Sequence, residues 1–304
     1  MRKNMEELIE AAREGPTLTV AVAAAGDEVV LESVARAKRD GIVRPILTGN
    51  PVKIRSLLPE AGMDASEVRV EAAEDTADAA EKAVELTASG EADFPMKGML
   101  STGTILRALL DKKHGLRQDK LLSLVTLMDL EEKDKMVFMS DAGMNPDPDL
   151  SEKADIIRNA VTIARSIGME TPRVAVLAAV ENVSSNMPDT EDAAILSKMQ
   201  DRGQIKNCLI DGPLALDNAI FESAADHKGI GGEVAGRADI LITPDIEAGN
   251  IFYKAMIVYA GTPAASVVYG AKVPLVLTSR ADTVETKYNS LALASLSTAD
   301  LLDR

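Results

Sequence analysis

The sequence TLTVAVAAAGDEVVLESVARA, residues 17–37, decides the fold class of this chain. The apolar run 17–25 has the length and composition of a buried strand. It ends at Gly26 and Asp27, after which apolar residues recur at helical spacing. The segment therefore predicts a strand, a turn in which Asp27 caps the next helix, and that helix.

The same alternation continues along the first part of the chain. Strand-like runs at 44–49 and 68–71 alternate with helix-like runs at 52–58 and 76–89. Strands that alternate with helices form a mostly parallel sheet covered on both faces. The predicted fold class is therefore α/β.

Two closely spaced apolar runs, 121–127 and 136–139, break this alternation. The charged stretch 131–135 separates them, so the pair predicts a hairpin rather than a crossover. The segment 145–149 is rich in Asn, Asp and Pro, which stops any helix before the amphipathic segment 152–167. We expect a domain boundary in this turn-rich stretch.

The second half of the chain again alternates between strands and helices. Its strand-like segments are 174–180, 208–210, 240–243, 265–268 and 275–277, and a final helix is predicted at 284–296. Because 304 residues exceed the usual size of one hydrophobic core, we predict two α/β domains with mostly parallel sheets. The first comprises 1–145 plus 283–304, the second comprises 146–282, and the active site lies in the cleft between them.

Composition excludes several classes of partner. A net charge of −15 argues against a nucleic-acid surface and against binding to an acidic membrane. The first ten residues are too acidic for a signal peptide, and no apolar run approaches the roughly 18 residues of a membrane span. The single cysteine, Cys208, rules out an intrachain disulfide. We therefore expect a cytoplasmic protein with small-molecule partners.

The clearest candidate site follows the apolar run 273–277. There, Ser279, Arg280 and Asp282 supply a hydroxyl, a guanidinium and a carboxylate within four residues. Ligands of α/β proteins collect beyond the carboxyl ends of strands, and the planar fork of arginine suits phosphate. This pattern indicates an oxyanion or phosphate site, although a helix-capping role explains it equally well.

Two other segments follow predicted strands. Residues 97–103 read KGMLSTG, where small residues admit an anion at a helix N-terminus or simply cap the helix. Arg107, one turn further, either reaches the ligand or pairs with Asp111. Residues 244–251 follow the strand 240–243, and their polar side chains line the cleft or only cap a helix.

Metal and nucleophile chemistry have weaker support. Asp141, Asp147 and Asp149 could suggest a divalent metal, but intervening prolines make this an acidic turn, so no metal is predicted. Cys208 lies in an apolar run where an inert thiol is expected. The chain has only His114 and His227, and neither adjoins a candidate nucleophile in the sequence.

Four segments resemble the phosphate acetyl/butyryltransferase family, and phosphate butyryltransferases in particular. They are KVPLVLTSRAD (272–282), MKG with STG (96–98 and 101–103), DAGMN (141–145) and the run 234–251. The resemblance implies two domains arranged as in isocitrate and isopropylmalate dehydrogenases. It also implies reversible transfer of butyryl or a similar short acyl group between CoA and phosphate, by direct attack in a ternary complex. CoA is then a substrate, no cofactor is tightly bound, and a homodimer is expected.

The resemblance also implies roles for individual residues. Ser279 and Arg280 are assigned to the phosphate and the oxyanion. Residues assigned to phosphate or CoA are Lys97, Ser101, Thr102, Gly103, Arg107 and Asn250. In the acetyl branch an aspartate seven residues after the serine takes the thiol proton, but here that position is Thr286. Asp282 and Glu285 therefore remain as alternative bases.

Two rival functions remain open from the sequence. One is a metal- and nicotinamide-dependent decarboxylating dehydrogenase of similar architecture. The other is a protein that binds CoA metabolites without turnover, suggested by the missing acid at position 286.

Overall fold

The computed structural model describes residues 4–130 and 135–303, and the following statements concern those residues. Its strands are β1 (Leu18–Ala23), β2 (Val43–Gly49), β3 (Arg69–Ala72), β4 (Phe94–Lys97), β5 (Ser123–Leu130), β6 (Lys135–Ser140), β7 (Arg173–Leu177), β8 (Leu209–Leu214), β9 (Ile240–Ile242), β10 (Ala264–Tyr269) and β11 (Leu275–Val276). Its helices are α1 (Met5–Glu14), α2 (Glu28–Arg39), α3 (Pro51–Leu57), α4 (Thr76–Ala88), α5 (Thr102–Leu110), α6 (Leu150–Ser166), α7 (Pro188–Asp201), α8 (Leu216–Ile220), α9 (Glu222–His227), α10 (Ile246–Lys254) and α11 (Val284–Leu302). The fold is mixed α/β with mostly parallel strands, as predicted.

Contacts between residues divide the chain into two compact units. We call residues 5–120 with 264–303 the terminal unit, and residues 121–263 the central unit. Within the described residues, we find no helix with the length and apolar character that a membrane span requires.

The terminal unit contains strands in the order β3-β2-β1-β4-β11-β10. All neighbouring pairs are parallel except β10 and β11, which are antiparallel. Strands β2 and β3 follow β1 on one side of it, and β4 lies on the other side of β1. Such a reversal of strand order leaves a crevice at the carboxyl ends of the strands, where ligands of open α/β sheets bind.

The segment 17–37 folds as predicted. Four of the six residues of β1 have no exposed surface, and two others remain largely buried. The Asp27 carboxylate accepts a hydrogen bond from the Val30 N–H at 3.0 Å and so caps α2. The predicted strands and helices up to residue 89 are confirmed to within two residues at each end.

Gly98 lets β4 end directly against β1. Its N–H donates to the Ala23 carbonyl at 2.8 Å. A Cβ at position 98 would lie 2.5 Å from the carbonyl oxygens of both Ala23 and Ala24, so only glycine fits without a shift of the backbone. This contact sets the path of the chain from Lys97 into α5.

The central unit contains strands in the order β5-β6-β9-β7-β8. β5 and β6 are antiparallel, which confirms the predicted hairpin, and the remaining pairs are parallel. Of the charged stretch predicted between them, residues 131–134 lie outside the described part of the chain.

The boundaries between the two units differ from the predicted ones. They lie at 120/121 and 263/264 instead of 145/146 and 282/283. The hairpin belongs to the central unit because β6 pairs with β9. The segment 264–282 belongs to the terminal unit because β11 pairs with both β4 and β10, and α11 packs on β10. β11 itself is two residues long, shorter than the predicted strand.

A buried tyrosine connects α11 to the end of α2. The Tyr288 hydroxyl donates to the Asp40 carboxylate at 2.5 Å, and the Arg13 guanidinium donates to the same carboxylate at 2.8 Å. Burial, followed by the contact with Asp40, raises the pKa of Tyr288 to about 12. The Arg36 guanidinium lies over the tyrosine ring, 3.9 Å from its centre, and forms an ion pair with Glu285.

We expect Tyr288→Phe to lower the free energy of unfolding by about 1 kcal/mol, because the buried hydroxyl loses a charge-assisted hydrogen bond. Tyr259→Phe is the matched control, since Tyr259 is 91% exposed. Urea unfolding of both variants measures the difference. Equal stability of the two variants would contradict the assigned bond.

Candidate active site

Residues 278–282 form a turn between β11 and α11, which we call the 278–282 turn. The Ser279 N–H donates to the Asp282 carboxylate at 2.6 Å, and the Asp282 N–H donates back to the Ser279 carbonyl at 3.2 Å. Asp282 is buried, whereas the side chains of Ser279 and Arg280 are exposed. The turn therefore presents a hydroxyl and a guanidinium on a closed backbone.

The helix after the turn has its own cap. Thr283 precedes α11, and its side chain accepts a hydrogen bond from the Thr286 N–H at 3.1 Å. The helix-capping alternative for Asp282 is therefore wrong: its carboxylate closes the 278–282 turn instead.

Two buried lysines support this turn from beneath. Lys97, at the end of β4, donates to the Thr278 carbonyl at 3.2 Å. Lys287, in the first part of α11, donates to the carbonyls of Ser279 at 2.8 Å and Asp282 at 3.0 Å. The sequence pattern indicated Lys97 but not Lys287. Its position within the helix that follows the motif was the only signal that pointed to it.

Burial determines the electrostatics of both lysines. It lowers the pKa of Lys97, and the nearby charges of Lys287 and Arg280 lower it further. Burial also lowers the pKa of Lys287, against the opposing effect of Asp282 and Asp27. Three cations, Lys97, Lys287 and Arg280, thus lie near two carboxylates, Asp282 and Asp27, in a chain whose net charge is −15. This local excess of positive charge favours an anionic ligand.

The two candidate bases occupy different surroundings. Asp282 lies inside the turn with Ser279 and Lys287. Glu285 is on the first turn of α11, about half exposed, and its carboxylate pairs with Arg36 of α2. Of the two carboxylates, Asp282 is therefore the one that shares a turn with Ser279 and Arg280.

Helix α5 begins at Thr102, five residues after Lys97, and Ser101 precedes it. The Ser101 side chain accepts a hydrogen bond from the Thr104 N–H at 3.1 Å, so the capping role predicted as an alternative is present. Thr102 and Gly103 are the first two residues of the helix. A Cβ on Gly103 would have no atom closer than 4.0 Å, which leaves room above the helix end.

Arg107 is exposed on the same helix, and the structure gives it no pairing with Asp111. The Asp111 carboxylate instead accepts from the Lys113 N–H at 3.0 Å and forms its ion pair, in the described part of the chain, with the Lys113 ammonium. Arg107 is therefore available to a ligand.

In the central unit, Asp141 organises the loop after β6. Its carboxylate accepts hydrogen bonds from the N–H groups of Gly143 at 2.9 Å and Met144 at 3.1 Å, and from the Asn145 amide at 2.6 Å. Burial raises the pKa of Asp141 in spite of these donors. Asp149 caps α6, which explains another of the acidic residues.

No metal centre is formed by the acidic residues that the structure describes. Among these residues, no three His, Cys, Asp or Glu side chains are grouped so that they could hold an ion. The roles of Asp141 and Asp149 as loop and helix organisers account for the pattern that suggested a metal.

Asn250 lies in the first half of α10. Its amide donates to the Ala142 carbonyl at 3.0 Å, which connects the helix to the loop after β6. Asp245 caps α10 by accepting from the Ala248 N–H at 2.7 Å. A Cβ on Gly249 would lie 2.2 Å from the Asp141 carbonyl oxygen, so this glycine permits contact between two parts of the backbone. The capping alternative is thus confirmed for Asp245.

The surroundings of the cysteine and the two histidines are as follows. Burial raises the pKa of the Cys208 thiol to about 11, so it is a poor nucleophile near neutral pH. The His114 ring lies 2.6 Å from the Glu81 carboxylate, and His227 is exposed.

Most of the chain matches a known protein family, and nearly all of it matches individual members. Residues 69–295 match the family described as "Phosphate acetyl/butaryl transferase". The phosphate butyryltransferase of Clostridium beijerinckii is 46% identical over 296 residues, covering 97% of this chain and 98% of that protein. The phosphate acetyltransferase of Thermotoga maritima is 45% identical over 292 residues, covering 96% and 99%.

Solved structures show the same relationship. A branched-chain phosphotransacylase from Enterococcus faecalis superposes with a TM-score of 0.83 at 30% identity, covering 93% of this chain and 99% of that one. A 4-hydroxythreonine-4-phosphate dehydrogenase from Klebsiella pneumoniae reaches a TM-score of 0.59 at 12% identity, covering 93% and 100%, and shows a likeness of fold alone. The resemblance inferred from four sequence segments is confirmed, and the chain belongs to the phosphate acetyl/butaryl transferase family.

Proposed function

We propose that this chain moves a short acyl group reversibly between CoA and inorganic phosphate. The observation that carries the proposal is the 278–282 turn, where Ser279 and Arg280 are exposed and the backbone carbonyls accept hydrogen bonds from two buried ammonium groups. Family membership and near full-length similarity to phosphate butyryl- and acetyltransferases support the same reaction.

The reaction needs no covalent enzyme intermediate. A phosphate oxygen attacks the thioester carbonyl, a C–O bond forms, and the C–S bond then breaks to release CoA. Phosphate is already an anion near neutral pH, and a thiol of unperturbed pKa about 8.5 is a good leaving group. The protein supplies orientation of both substrates in a ternary complex and stabilisation of the tetrahedral oxyanion.

We assign the following roles. Arg280 binds phosphate through its planar fork, and Ser279 donates to the developing oxyanion. Lys97 adds positive charge, and the start of α5 with Ser101, Thr102 and Gly103 holds the phosphate. Arg107 and Asn250 are assigned to CoA, which is a substrate, and no tightly bound cofactor is proposed.

Asp282 is the proposed acceptor of the thiol proton when the reaction runs toward acyl-CoA. It lies in the same turn as Ser279 and Arg280, whereas Glu285 is engaged with Arg36. In the reverse direction the same group returns the proton to the leaving thiolate.

The finer assignments stay predictions. They are the isocitrate/isopropylmalate dehydrogenase-like arrangement with its cleft, the cytoplasmic location and the homodimer. The two rival functions are not favoured, since the family match and the close relatives concern acyl transfer.

Sequence identity to the relatives does not indicate which acyl group this protein prefers. The sequence identity of this chain is 46% to the butyryltransferase relative and 45% to the acetyltransferase relative, a difference of only one percentage point. One methylene is worth only about 1–3 kcal/mol of discrimination, so neighbouring acyl groups overlap. We propose butyryl or a similar short chain as the preferred substrate.

The reaction itself is tested by mixing the protein with acetyl-, propionyl-, butyryl- and isobutyryl-CoA, with and without phosphate, and following free thiol. We expect CoA release only with phosphate, and fastest with butyryl-CoA or its branched isomer. Release without phosphate, or none with any acyl-CoA, would reject acyl transfer to phosphate.

Ser279→Ala and Arg280→Lys should each lower turnover by about ten- to a thousandfold, because each removes a donor placed for developing negative charge. Ser89→Ala and Arg69→Lys are controls on exposed side chains of the same unit. Steady-state rates of all four variants provide the measurement. Normal turnover in both turn variants would refute their assignment.

Asp282→Asn and Glu285→Gln separate the two candidate bases. Asparagine can still accept the Ser279 N–H, so the turn is kept while the proton acceptor is removed. Toward acyl-CoA synthesis, we expect Asp282→Asn to lose the ascending limb of the pH–rate profile and Glu285→Gln to keep it. The opposite result would move the role to Glu285.

A further inference from the structure

Lys287 occupies a position that is unfavourable for a cation. It is the fourth residue of α11, close to the positive end of the helix dipole, and it is only 3% exposed. Burying an ammonium group away from water is costly unless it gains partners. Some compensating interaction must therefore hold it there.

That interaction comes from carbonyl groups and not from an ion pair. Lys287 donates to the carbonyls of Ser279 and Asp282, and Lys97 donates to that of Thr278. Among the ion pairs of residues 4–130 and 135–303, none includes Lys97 or Lys287. The nearest acid, Asp282, directs its carboxylate to the Ser279 N–H.

A third buried lysine in the same chain shows the contrast. Lys153, 4% exposed, lies 2.8 Å from the carboxylates of both Asp189 and Asp192. Although burial opposes it, these two contacts raise the pKa of Lys153, whereas the pKa values of Lys97 and Lys287 are lowered. Lys153 is in direct contact with two carboxylates, whereas Lys287 forms no direct ion pair within the described residues and interacts with Asp282 and Asp27 without such contact.

We propose that Lys287 is a positioning residue for phosphate, which holds the 278–282 turn in shape and adds its positive charge to the site of the bound anion. This inference rests on the proposed function. The two carbonyls that accept from Lys287 belong to residues 279 and 282, on either side of Arg280. The ammonium group of Lys287 therefore fixes the backbone that carries the guanidinium of Arg280. A charge in a site of low dielectric acts more strongly on an anion than the same charge in water.

The charge also makes phosphate binding depend on pH. The charged groups that act on Lys287 are Asp282 and Asp27. Those that act on its neighbour Lys97 are Lys287, Arg280 and Asp282. Because the pKa of Lys287 is lowered, its proton is lost at a lower pH than from a solvated lysine. The KM for phosphate should therefore rise as the pH increases through that pKa, and bound phosphate should oppose the loss.

Lys287→Met tests the proposal, because methionine keeps a long apolar stem and removes the charge. We expect the KM for phosphate to rise and kcat to fall, each by roughly tenfold, with a change below about threefold in the KM for acyl-CoA. Lys153→Met is the matched control: it removes a buried lysine of the central unit and should leave both KM values unchanged. A Lys287→Met enzyme with wild-type phosphate KM and kcat would overturn the proposal.

Lys287→Arg keeps a cation that stays charged across the pH range. We expect this variant to bind phosphate better than the methionine variant. The pH above which the KM for phosphate rises should be higher than in the wild type. An unchanged pH profile would count against the proposal. This variant also preserves the test should the methionine variant fail to fold.

Thermal unfolding with added inorganic phosphate separates this inference from the proposed function. Phosphate should raise the Tm of the wild type and of Lys153→Met, and should raise that of Lys287→Met much less. If no acyl-CoA is turned over but this pattern holds, the reaction is wrong and the phosphate site stands. If turnover is normal and phosphate raises all Tm values equally, only the role of Lys287 is wrong.

Discussion

The placement of β4 between β1 and β11 is the constraint on which the terminal unit depends. β4 pairs in parallel with both neighbours, and Gly98 allows its end to lie against the carbonyls of β1. The same pairing brings Lys97 under the backbone that leaves β11, where it meets the Thr278 carbonyl. A strand of only two residues thus becomes the base of the candidate site, because its position is set by a longer neighbour and by β10.

The electrostatics of the 278–282 turn oppose those of the whole chain. An acidic protein that binds phosphate must concentrate positive charge at the binding site, and these positive groups must not be paired with carboxylates of the protein. Here, two buried lysines donate to backbone carbonyls and form no ion pair within the described residues, so each ammonium group has a hydrogen-bond acceptor and keeps its charge. The one carboxylate in the turn, Asp282, is used to hold the Ser279 N–H. The arrangement stabilises the lysines without neutralising the field that an incoming anion meets.

The polar residues of the central unit combine structural and proposed binding roles. Asp141 satisfies the backbone of its own loop, Asp245 caps α10, and Gly249 allows that helix to approach the Asp141 carbonyl. Asn250 then connects the helix to the same loop through the Ala142 carbonyl. Motif residues that suggested ligand contact from the sequence are thus also the residues that give the loop its shape.

The sequence by itself determined the local structure and the family. Runs of apolar residues and capping side chains act over a few positions, so the strands, the helices and the hairpin could be predicted. The four motifs, together with their order along the chain, indicated the resemblance to the family. Tertiary structure alone decided which unit holds 264–282, since strand pairing across more than 160 residues leaves no local pattern. It also decided that Glu285 pairs with Arg36, some 250 residues earlier, and that Lys287 supports the 278–282 turn. Burial and partner choice depend on distant parts of the chain, and these determine how each charge behaves.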